Sequence, residues 1–172
     1  MSNTTVLLFK IKRRIAFYFW HFLCLIKPNA VKEFKLMDGS RFNYPLKSVL
    51  GLGLFINSFE ASEIEFVRQS LQPGDVFFDI GANGGFYTVI AAKQVGSTGH
   101  VYAFEPGSRE LSLLRRNIEI NNLSNVTIIE RAVSDKKSTT KFAISHDGAM
   151  NSLSQTNHPE QKIEAWQTVE IY

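Results

Sequence analysis

A glycine-rich turn between an apolar strand and an apolar helix constrains this chain more than any other feature. Residues 79–85 read DIGANGG, follow the apolar run 76–80 and lead into the apolar segment 86–92. A strand, a tight glycine turn and a helix in this order allow a backbone to approach a nucleotide-like ligand closely. Glu105 ends the next apolar run, where a carboxylate can accept hydrogen bonds from ribose hydroxyls. The sequence therefore predicts a site for a nucleoside cofactor.

Asp79 distinguishes between the cofactors that such a turn can bind. In a dinucleotide site the turn cradles a pyrophosphate, which a carboxylate would repel. S-adenosylmethionine carries an ammonium, a sulfonium and no phosphate, so the same carboxylate attracts it. Asn83 also stands where the motif G-x-G-x-x-G has its second glycine. These residues favour S-adenosylmethionine over NAD or NADP, and Asp79 is equally compatible with capping the turn or helix that follows.

The alternation of strands and helices after residue 75 predicts a doubly wound α/β sheet, because parallel neighbours require crossover connections. The predicted elements are a strand at 76–80, a helix at 87–94, a strand at 101–104, a helix at 108–121 and a strand at 126–129. The first strand lacks polar alternation before Asp79, which predicts burial on both faces. A hairpin-like pair of strands, 140–145 and 168–172, follows around a polar loop at 151–161. No fourth parallel strand is recognisable, so we expect a Rossmann-like sheet that stops after its third strand and leaves the first as an open edge.

The first 58 residues are expected to form an extension of a helix and a β-hairpin, and residues 59–172 the cofactor-binding half of the domain. Asp-Gly between two alternating segments, 31–36 and 41–46, is a strong hairpin signal. Residues 46–58 are expected to form a loop or short turns. Ser62 and Glu65 have the spacing of a capping box at the start of a helix.

The N-terminal segment 15–26 is apolar apart from His21, and it is too short to cross a bilayer, which takes about 20 residues. Basic residues precede it, and no small-residue cleavage site follows. We favour a helix packed on the domain or on a partner over membrane association as an interfacial helix on acidic lipid. A single cysteine, Cys24, suits a reducing compartment, so a cytoplasmic location is expected. The net charge of +3 is too small to imply nucleic acid.

A catalytic base is not identified by the sequence. His21 is expected to be a packing residue, and His100 is expected to begin a strand after Gly99 as a solvated turn residue. His146 and His158 lie in the polar excursion, on the side where an acceptor could approach, and neither has a feature that singles it out. Metal-ligand spacing is absent from the sequence, as is the phosphate-binding motif G-x-x-x-x-G-K-[ST], so we expect neither a metal site nor an NTPase.

Three segments together resemble the FkbM-type class I methyltransferases: GDVFFDIGANGGFYTVIAA, then VYAFEP, then LLRRNIEINNLSNVTIIERAVSD. The resemblance spans roughly residues 59–135 and extends more loosely to residue 172. It implies a Rossmann-like fold that transfers a methyl group from S-adenosylmethionine, typically to a hydroxyl oxygen of a sugar or a natural product. The residues that it implies for the cofactor are Asp79, Gly81, Asn83 and Gly85 at the methionine part, Glu105 at the ribose and the backbone of Ala132 at the adenine.

The chain departs from this family after its last predicted strand. Family members usually continue into a strand with Lys-x-Asp-Val-Glu-Gly, which is absent here and is expected to shape the acceptor site. Two other interpretations stay open: an NAD(P)-dependent oxidoreductase with an unusual turn, and an inactive, truncated cofactor-binding fragment. The expected partner is a small-molecule or glycan acceptor and not nucleic acid; the sequence does not predict an oligomeric state.

Overall fold

The computed structural model describes residues 3–56, 59–153 and 161–172 of the 172-residue chain. The elements in chain order are α1 (Asn3–Ile26), β1 (Val31–Lys35), β2 (Arg41–Pro45), α2 (Val49–Phe55), α3 (Ala61–Ser70), β3 (Val76–Ile80), α4 (Phe86–Val95), β4 (His100–Phe104), α5 (Ser108–Ile120), β5 (Val126–Ile129), β6 (Ser138–Ser145), a 3₁₀ turn (Gly148–Met150) and β7 (Ile163–Ile171).

The parallel sheet has the order β3-β4-β5, with α4 and α5 as the crossover helices. Its register pairs Asp79 with Ala103 and Ile80 with Phe104, so the carboxyl ends of β3 and β4 lie side by side. Val101 and Ala103 of β4 are fully buried, and they pack beneath the two helices with residues such as Val95 and Leu114. The predicted α/β fold of three parallel strands, preceded by a helix and a hairpin, is confirmed.

One face of this sheet is uncovered by the residues that the structure describes. Val76, Phe78 and Ile80 alternate along β3 and are 55%, 58% and 63% exposed. The ring of Phe78 stacks on those of Tyr102 and Phe104, with centroids 5.2 and 6.4 Å apart. The prediction that β3 is buried on both faces is therefore wrong. An apolar run is typical of a strand between two layers, and the described residues supply the layer of α4 and α5 on one face of this strand.

The predicted hairpin is confirmed, since β1 pairs with β2 in antiparallel register. The prediction of loop or turns over 46–58 is wrong for α2. This helix begins after Ser48, whose hydroxyl accepts the N–H of Gly51 at 2.9 Å. A Cβ at Gly51 would lie 2.3 Å from the carbonyl oxygen of Pro45, so glycine allows α2 to pack directly against the end of β2. The N-cap and the packing outweigh the low helix propensity of glycine.

Helix α3 forms as predicted, but its start differs from the capping-box prediction. The N-cap is Glu60, in the left-handed region at φ +39°, and its side chain makes no capping hydrogen bond. The hydroxyl of Ser62 donates instead to Glu63 at 2.9 Å. Ser62 therefore lies inside the first turn and does not cap the helix.

The extension and the cofactor-binding half share one core. Trp20, Phe42 and Tyr44 pack in the same cluster as Phe86 and Ile90. Helix α1 joins this cluster along one side. Within the described residues, neither α1 nor any other helix has the length and apolar character of a membrane span. The division at residue 58 thus separates two sequence regions whose side chains pack together.

The excursion after β5 is the antiparallel pair of β6 and β7, as predicted, although β7 starts at Ile163, five residues before the predicted strand. A small cluster of Phe142, Val169 and Ile171 holds the pair together. Arg109 at the start of α5 donates to the carbonyl oxygen of Ser145 at 2.8 Å, which ties the pair to the parallel sheet. Of the predicted loop at 151–161, residues 154–160 lie outside the described residues.

Candidate functional site

The turn between β3 and α4 adopts a conformation that its sequence dictates. Gly81, Asn83 and Gly85 have positive φ values of +81°, +51° and +83°, a region that glycine and asparagine tolerate best. A Cβ at Gly85 would lie 2.5 Å from Cδ1 of Leu114, whereas a Cβ at Gly81 would meet nothing within 4 Å. Gly85 therefore allows the turn to pack against α5, and Gly81 borders open space.

All five backbone N–H groups of residues 81–85 have acceptors within the chain. These acceptors are the carbonyl oxygen of Phe104 for Gly81 and Ala82 (2.9 Å each), Glu105 for Asn83 (2.8 Å), the Asn83 side chain for Gly84 (2.6 Å) and the carbonyl oxygen of Ala82 for Gly85 (2.8 Å). Phosphate-binding turns use such N–H groups to hold the anion. In this turn they are already committed to the fold.

Asp79 is buried at the end of β3 and accepts a hydrogen bond from the hydroxyl of Thr88 in the first turn of α4. Burial raises the pKa of this carboxyl, and the hydroxyl and N–H of Thr88 partly oppose that shift. The first turn of α4 thus reaches Asp79 through a side-chain hydroxyl, and the N-cap position itself, Gly85, has no side-chain capping hydrogen bond. Asp79 also lines a cavity beside the turn, so its position is compatible with both interpretations.

Glu105 joins the glycine turn to the loop after β4. One carboxylate oxygen accepts the N–H of Asn83 at 2.8 Å, and the other accepts the N–H of Gly107 at 2.7 Å. Burial raises the pKa of Glu105 to about 7, against the lowering effect of these two N–H groups, and the negative charges of Glu110 and Asp79 add to the rise. Glu105 thus holds the turn and the loop after β4 together from a buried position.

A cavity of about 940 Å³ opens beside the turn. Five of the six predicted cofactor residues line it: Asp79, Gly81, Asn83, Glu105 and Ala132. Gly85 does not, because it lies behind the turn against Leu114. The backbone of Ala132 is engaged with β7, since its N–H donates to the Glu170 carbonyl and its own carbonyl accepts from Tyr172.

Sequence reasoning missed Tyr44, which lines the cavity from β2. Its ring lies against the glycine turn, where a Cβ on Gly84 would come within 2.5 Å of Cε1. The hydroxyl is buried and donates no hydrogen bond to the described residues. Burial together with the charge of Asp79 raises its pKa far above the usual range, and the backbone N–H of Phe86 partly opposes that rise. The hairpin alternation marks Tyr44 only as a core residue, so nothing local in the sequence points to the cavity.

Glu110 and Asn151 also line the cavity and were missed. One oxygen of the buried Glu110 carboxylate accepts from Nε of Arg109 at 2.8 Å. Its second oxygen and the Nδ2 of Asn151 are buried without partners in the described part of the structure. The two residues come from α5 and from the excursion after β6, which only the tertiary fold brings together.

Among the described histidines, His146 alone lines the cavity. Its Nδ1 lies 2.7 Å from a carboxylate oxygen of Glu164. His100 begins β4, as predicted, and contacts Thr127 through Nε2 at 2.8 Å, so it belongs to the strand and not to a solvated turn. His158 lies outside the described residues. No group of three or more His, Cys, Asp or Glu residues suited to a metal ion is found where side chains are described.

Comparison with known proteins agrees with this geometry at the family level. The sequence model of a protein family, the methyltransferase FkbM domain, matches residues 79–169, just over half of the chain. A ribosomal protein L11 methyltransferase of Caldanaerobacter subterraneus subsp. tengcongensis is 30% identical over 67 residues, which are 39% of this chain and 21% of that protein. A protein of Sulfurisphaera tokodaii, named "Probable cobalt-precorrin-6B C(15)-methyltransferase (decarboxylating)", is 42% identical over 63 residues, 37% of this chain and 33% of its own length.

Among solved structures, a SAM-dependent O-methyltransferase from Thermotoga maritima aligns at 23% identity with a TM-score of 0.41. That alignment covers 62% of this chain and 43% of the other. The chain thus spans from about a fifth to less than half of the length of these proteins.

Proposed function

Because the chain belongs to the methyltransferase FkbM domain family, we propose that it binds S-adenosylmethionine in the 940 Å³ cavity and serves the transfer of its methyl group to an acceptor. The observation that supports this cofactor most is that the backbone N–H groups of the glycine turn already donate hydrogen bonds within the chain. With the N–H groups of residues 81–85 all used internally, a pyrophosphate would meet no donor there.

The charges around the cavity favour a cationic ligand. Asp79, Glu105 and Glu110 are all buried at its wall, and only Glu110 has a basic partner, Arg109, among the contacts described. A sulfonium and an ammonium would reduce the repulsion among these carboxylates, whereas the phosphates of NAD(P) would increase it. The same charges argue against the oxidoreductase alternative.

The roles proposed for single residues follow from their places in the cavity wall. Gly81 provides the open approach to the methionine part, and Asp79 the negative charge beside it. Glu105 accepts the ribose hydroxyls at the carboxyl end of β4. The buried hydroxyl of Tyr44 supplies a donor that the fold leaves unused. Bound S-adenosylmethionine would supply an electrophilic methyl group on a sulfonium, and the chain would hold and align it.

The acceptor that we propose is a hydroxyl of a sugar or a natural product. The family resemblance alone supports a hydroxyl acceptor. The relatives described above are named for a ribosomal protein and for cobalt-precorrin. A hydroxyl acceptor has to lose a proton during transfer, and His146 is the base that we propose for it. Glu164 on one ring nitrogen would orient the imidazole, and the other nitrogen would take the proton.

Calorimetric binding of S-adenosylhomocysteine and of NAD to the purified chain tests the cofactor. We expect saturable binding of the first and none of the second. Tighter binding of NAD would establish the oxidoreductase alternative, and binding of neither would leave an inert fragment.

Methyl transfer from labelled S-adenosylmethionine to hydroxyl acceptors tests the proposed base when the wild type is compared with His146→Gln. The variant should keep its affinity for S-adenosylhomocysteine and lose methyl transfer.

Two variants separate the roles of Asp79. Asp79→Asn removes the charge, whereas Thr88→Val removes the hydroxyl that donates to Asp79 and leaves the charge in place. If the carboxylate acts on the ligand, Asp79→Asn should weaken S-adenosylhomocysteine binding at least several-fold, since a charge-assisted contact contributes about 1.5–3 kcal/mol, and Thr88→Val should not. If Asp79 serves only as a cap, both variants should lower stability and leave affinity unchanged.

A further inference from the structure

Among the described contacts, helix α1 packs on the rest of the chain along one side. Trp20 is buried, and its Nε1 donates to the carbonyl oxygen of Leu46 at 2.7 Å. Leu23 and Cys24 are partly buried beside it. The ring of Phe19 also lies 6.3 Å from that of Phe55, measured between centroids. At about 100° per residue these four side chains fall within a sector of about 140° around the helix, so more than half of the circumference of α1 faces outwards.

The side of α1 opposite this attachment carries a continuous apolar stripe. Its members recur at intervals of three and four residues and are between 45% and 78% exposed: Leu8, Ile11, Ile15, Tyr18, Phe22 and Leu25. They lie within a second sector of about 100° and extend for about 25 Å along the helix. Exposed apolar surface of this length on a soluble domain marks an interaction site.

The N-terminal segment that contains this apolar stripe has positively charged residues and no acidic ones. Residues 1–32 contain six of the 19 Lys and Arg residues and no Asp or Glu. Four of the six are on α1, and around the helix Lys10 and Arg14 lie on one side of the stripe and Lys12 on the other. The partner that complements this surface is therefore apolar at its centre and negatively charged around it.

We propose that α1 docks on the surface of an anionic lipid bilayer as an interfacial helix, with the apolar stripe inserted between head groups. Basic side chains along both edges would meet lipid phosphates and carboxylates, while their methylene stems cover apolar surface. Tyr18 and Phe22 are aromatic residues of the kind that suits the interfacial depth. In this arrangement the axis of α1 lies along the bilayer surface.

A second copy of the chain is a poorer occupant of the same stripe. Pairing two stripes would bring Lys12 and Arg14 of both copies to the edges of one interface without an acidic residue of α1 to neutralise them. Anionic lipid supplies the missing charge. The proposal rests on α1 alone and does not depend on methyl transfer.

Co-sedimentation of the full chain with vesicles tests the proposal. We expect binding to vesicles of phosphatidylcholine with about 30% phosphatidylserine at least about tenfold tighter than to phosphatidylcholine alone, and weaker binding as salt increases. Ile15→Glu and Phe22→Glu should each abolish it. Arg14→Gln should weaken it about fivefold, the effect of one cation near the head groups. Phe66→Glu, on the exposed surface of α3, is the matched control and should bind as the wild type does.

Three results would overturn the proposal, provided that far-UV circular dichroism shows each variant folded. Equal binding to neutral and anionic vesicles would remove the role of charge. Unchanged binding of Ile15→Glu and Phe22→Glu would remove the stripe. A lipid-free dimer in light scattering that Ile15→Glu dissociates, with no binding to vesicles, would assign the stripe to a second copy.

Discussion

The backbone N–H of Asn83 donates to the carboxylate of Glu105 at 2.8 Å, so the glycine turn is held by the end of the next parallel strand. The same carboxyl is the proposed contact for ribose hydroxyls. In the proposed site, one buried group would therefore shape the turn and contact the ligand. Because burial raises the pKa of Glu105 to about 7, we expect both contacts to depend on pH near neutrality.

The affinity for S-adenosylhomocysteine should rise about tenfold between about pH 6 and about pH 8, because hydroxyl donors prefer the ionised form of Glu105, whose pKa is about 7. Binding should then release a proton near neutrality, which calorimetry detects as an enthalpy that depends on the buffer. Glu105→Gln should bind more weakly and without pH dependence. Glu119→Gln, at an exposed position of α5, should retain the wild-type pH profile.

The stability of the ligand-free chain should show the opposite trend. The folded state binds the Glu105 proton more tightly than the unfolded state, whose carboxyl has its ordinary pKa near 4.5. The free energy of unfolding should therefore fall as pH rises from about 4.5 to about 7. Urea titrations across this window measure the effect. Glu105→Gln should reduce it, and the part that remains belongs to Asp79, whose pKa burial also raises. A fall of equal size in the variant would assign the pH dependence to other groups.

Asn117 is a second residue that fixes the turn, and its loss should be costly. Its Nδ2 donates to the Gly84 carbonyl at 2.7 Å, and its Oδ1 accepts the N–H of Asn43 at 2.6 Å. Asn117→Ala would leave the buried Gly84 carbonyl and the half-buried Asn43 N–H without these partners and should lower the free energy of unfolding by about 3 kcal/mol in urea denaturation. Arg116→Ala, on the exposed side of the same helix, should change it by less than about 0.5 kcal/mol. Similar losses in the two variants would contradict the role of Asn117.

The features that the sequence predicted are those in which chemistry and spacing are local. The glycine turn and Glu105 each occupy the end of a strand, and the rule that parallel strands end at one edge brings them together. Tyr44 and Asn151 reach the cavity from segments far from the turn. Their contacts depend on how the hairpin and the excursion dock, which no short pattern encodes.

Two local predictions failed because tertiary contacts decided them. In α2 two glycines lower the helix propensity, but the Ser48 cap and the close packing of Gly51 on β2 make a helix. For β3 the apolar run correctly predicted a strand, but the prediction that both of its faces are buried was wrong. Such a run shows that a side chain suits an interior, and it does not show whether a second layer is there to cover it.

The two glycines of the turn should respond differently to alanine, since both have positive φ and only Gly85 lacks space. Gly81→Ala should lower the free energy of unfolding by about 1 kcal/mol, the cost of a left-handed alanine, and should weaken S-adenosylhomocysteine binding because residue 81 lines the cavity. Gly85→Ala should cost about 1–3 kcal/mol more, because its Cβ would clash with Leu114. Urea denaturation and calorimetry measure the two quantities, and the reverse ranking in stability would contradict the packing argument.

The uncovered face of the parallel sheet should bind an apolar dye. Phe78 is 58% exposed and stacks on Tyr102, so this face together with the stripe on α1 should enhance the fluorescence of anilinonaphthalene sulfonate in the folded chain. Phe78→Lys should reduce this enhancement by about half, because α1 supplies the remainder. Phe66→Lys removes a phenylalanine that is 70% exposed on α3, away from the sheet, and should leave the signal almost unchanged. Equal reductions in the two variants, with circular dichroism confirming their folds, would show that the dye reports single exposed rings and not the continuous face of the sheet.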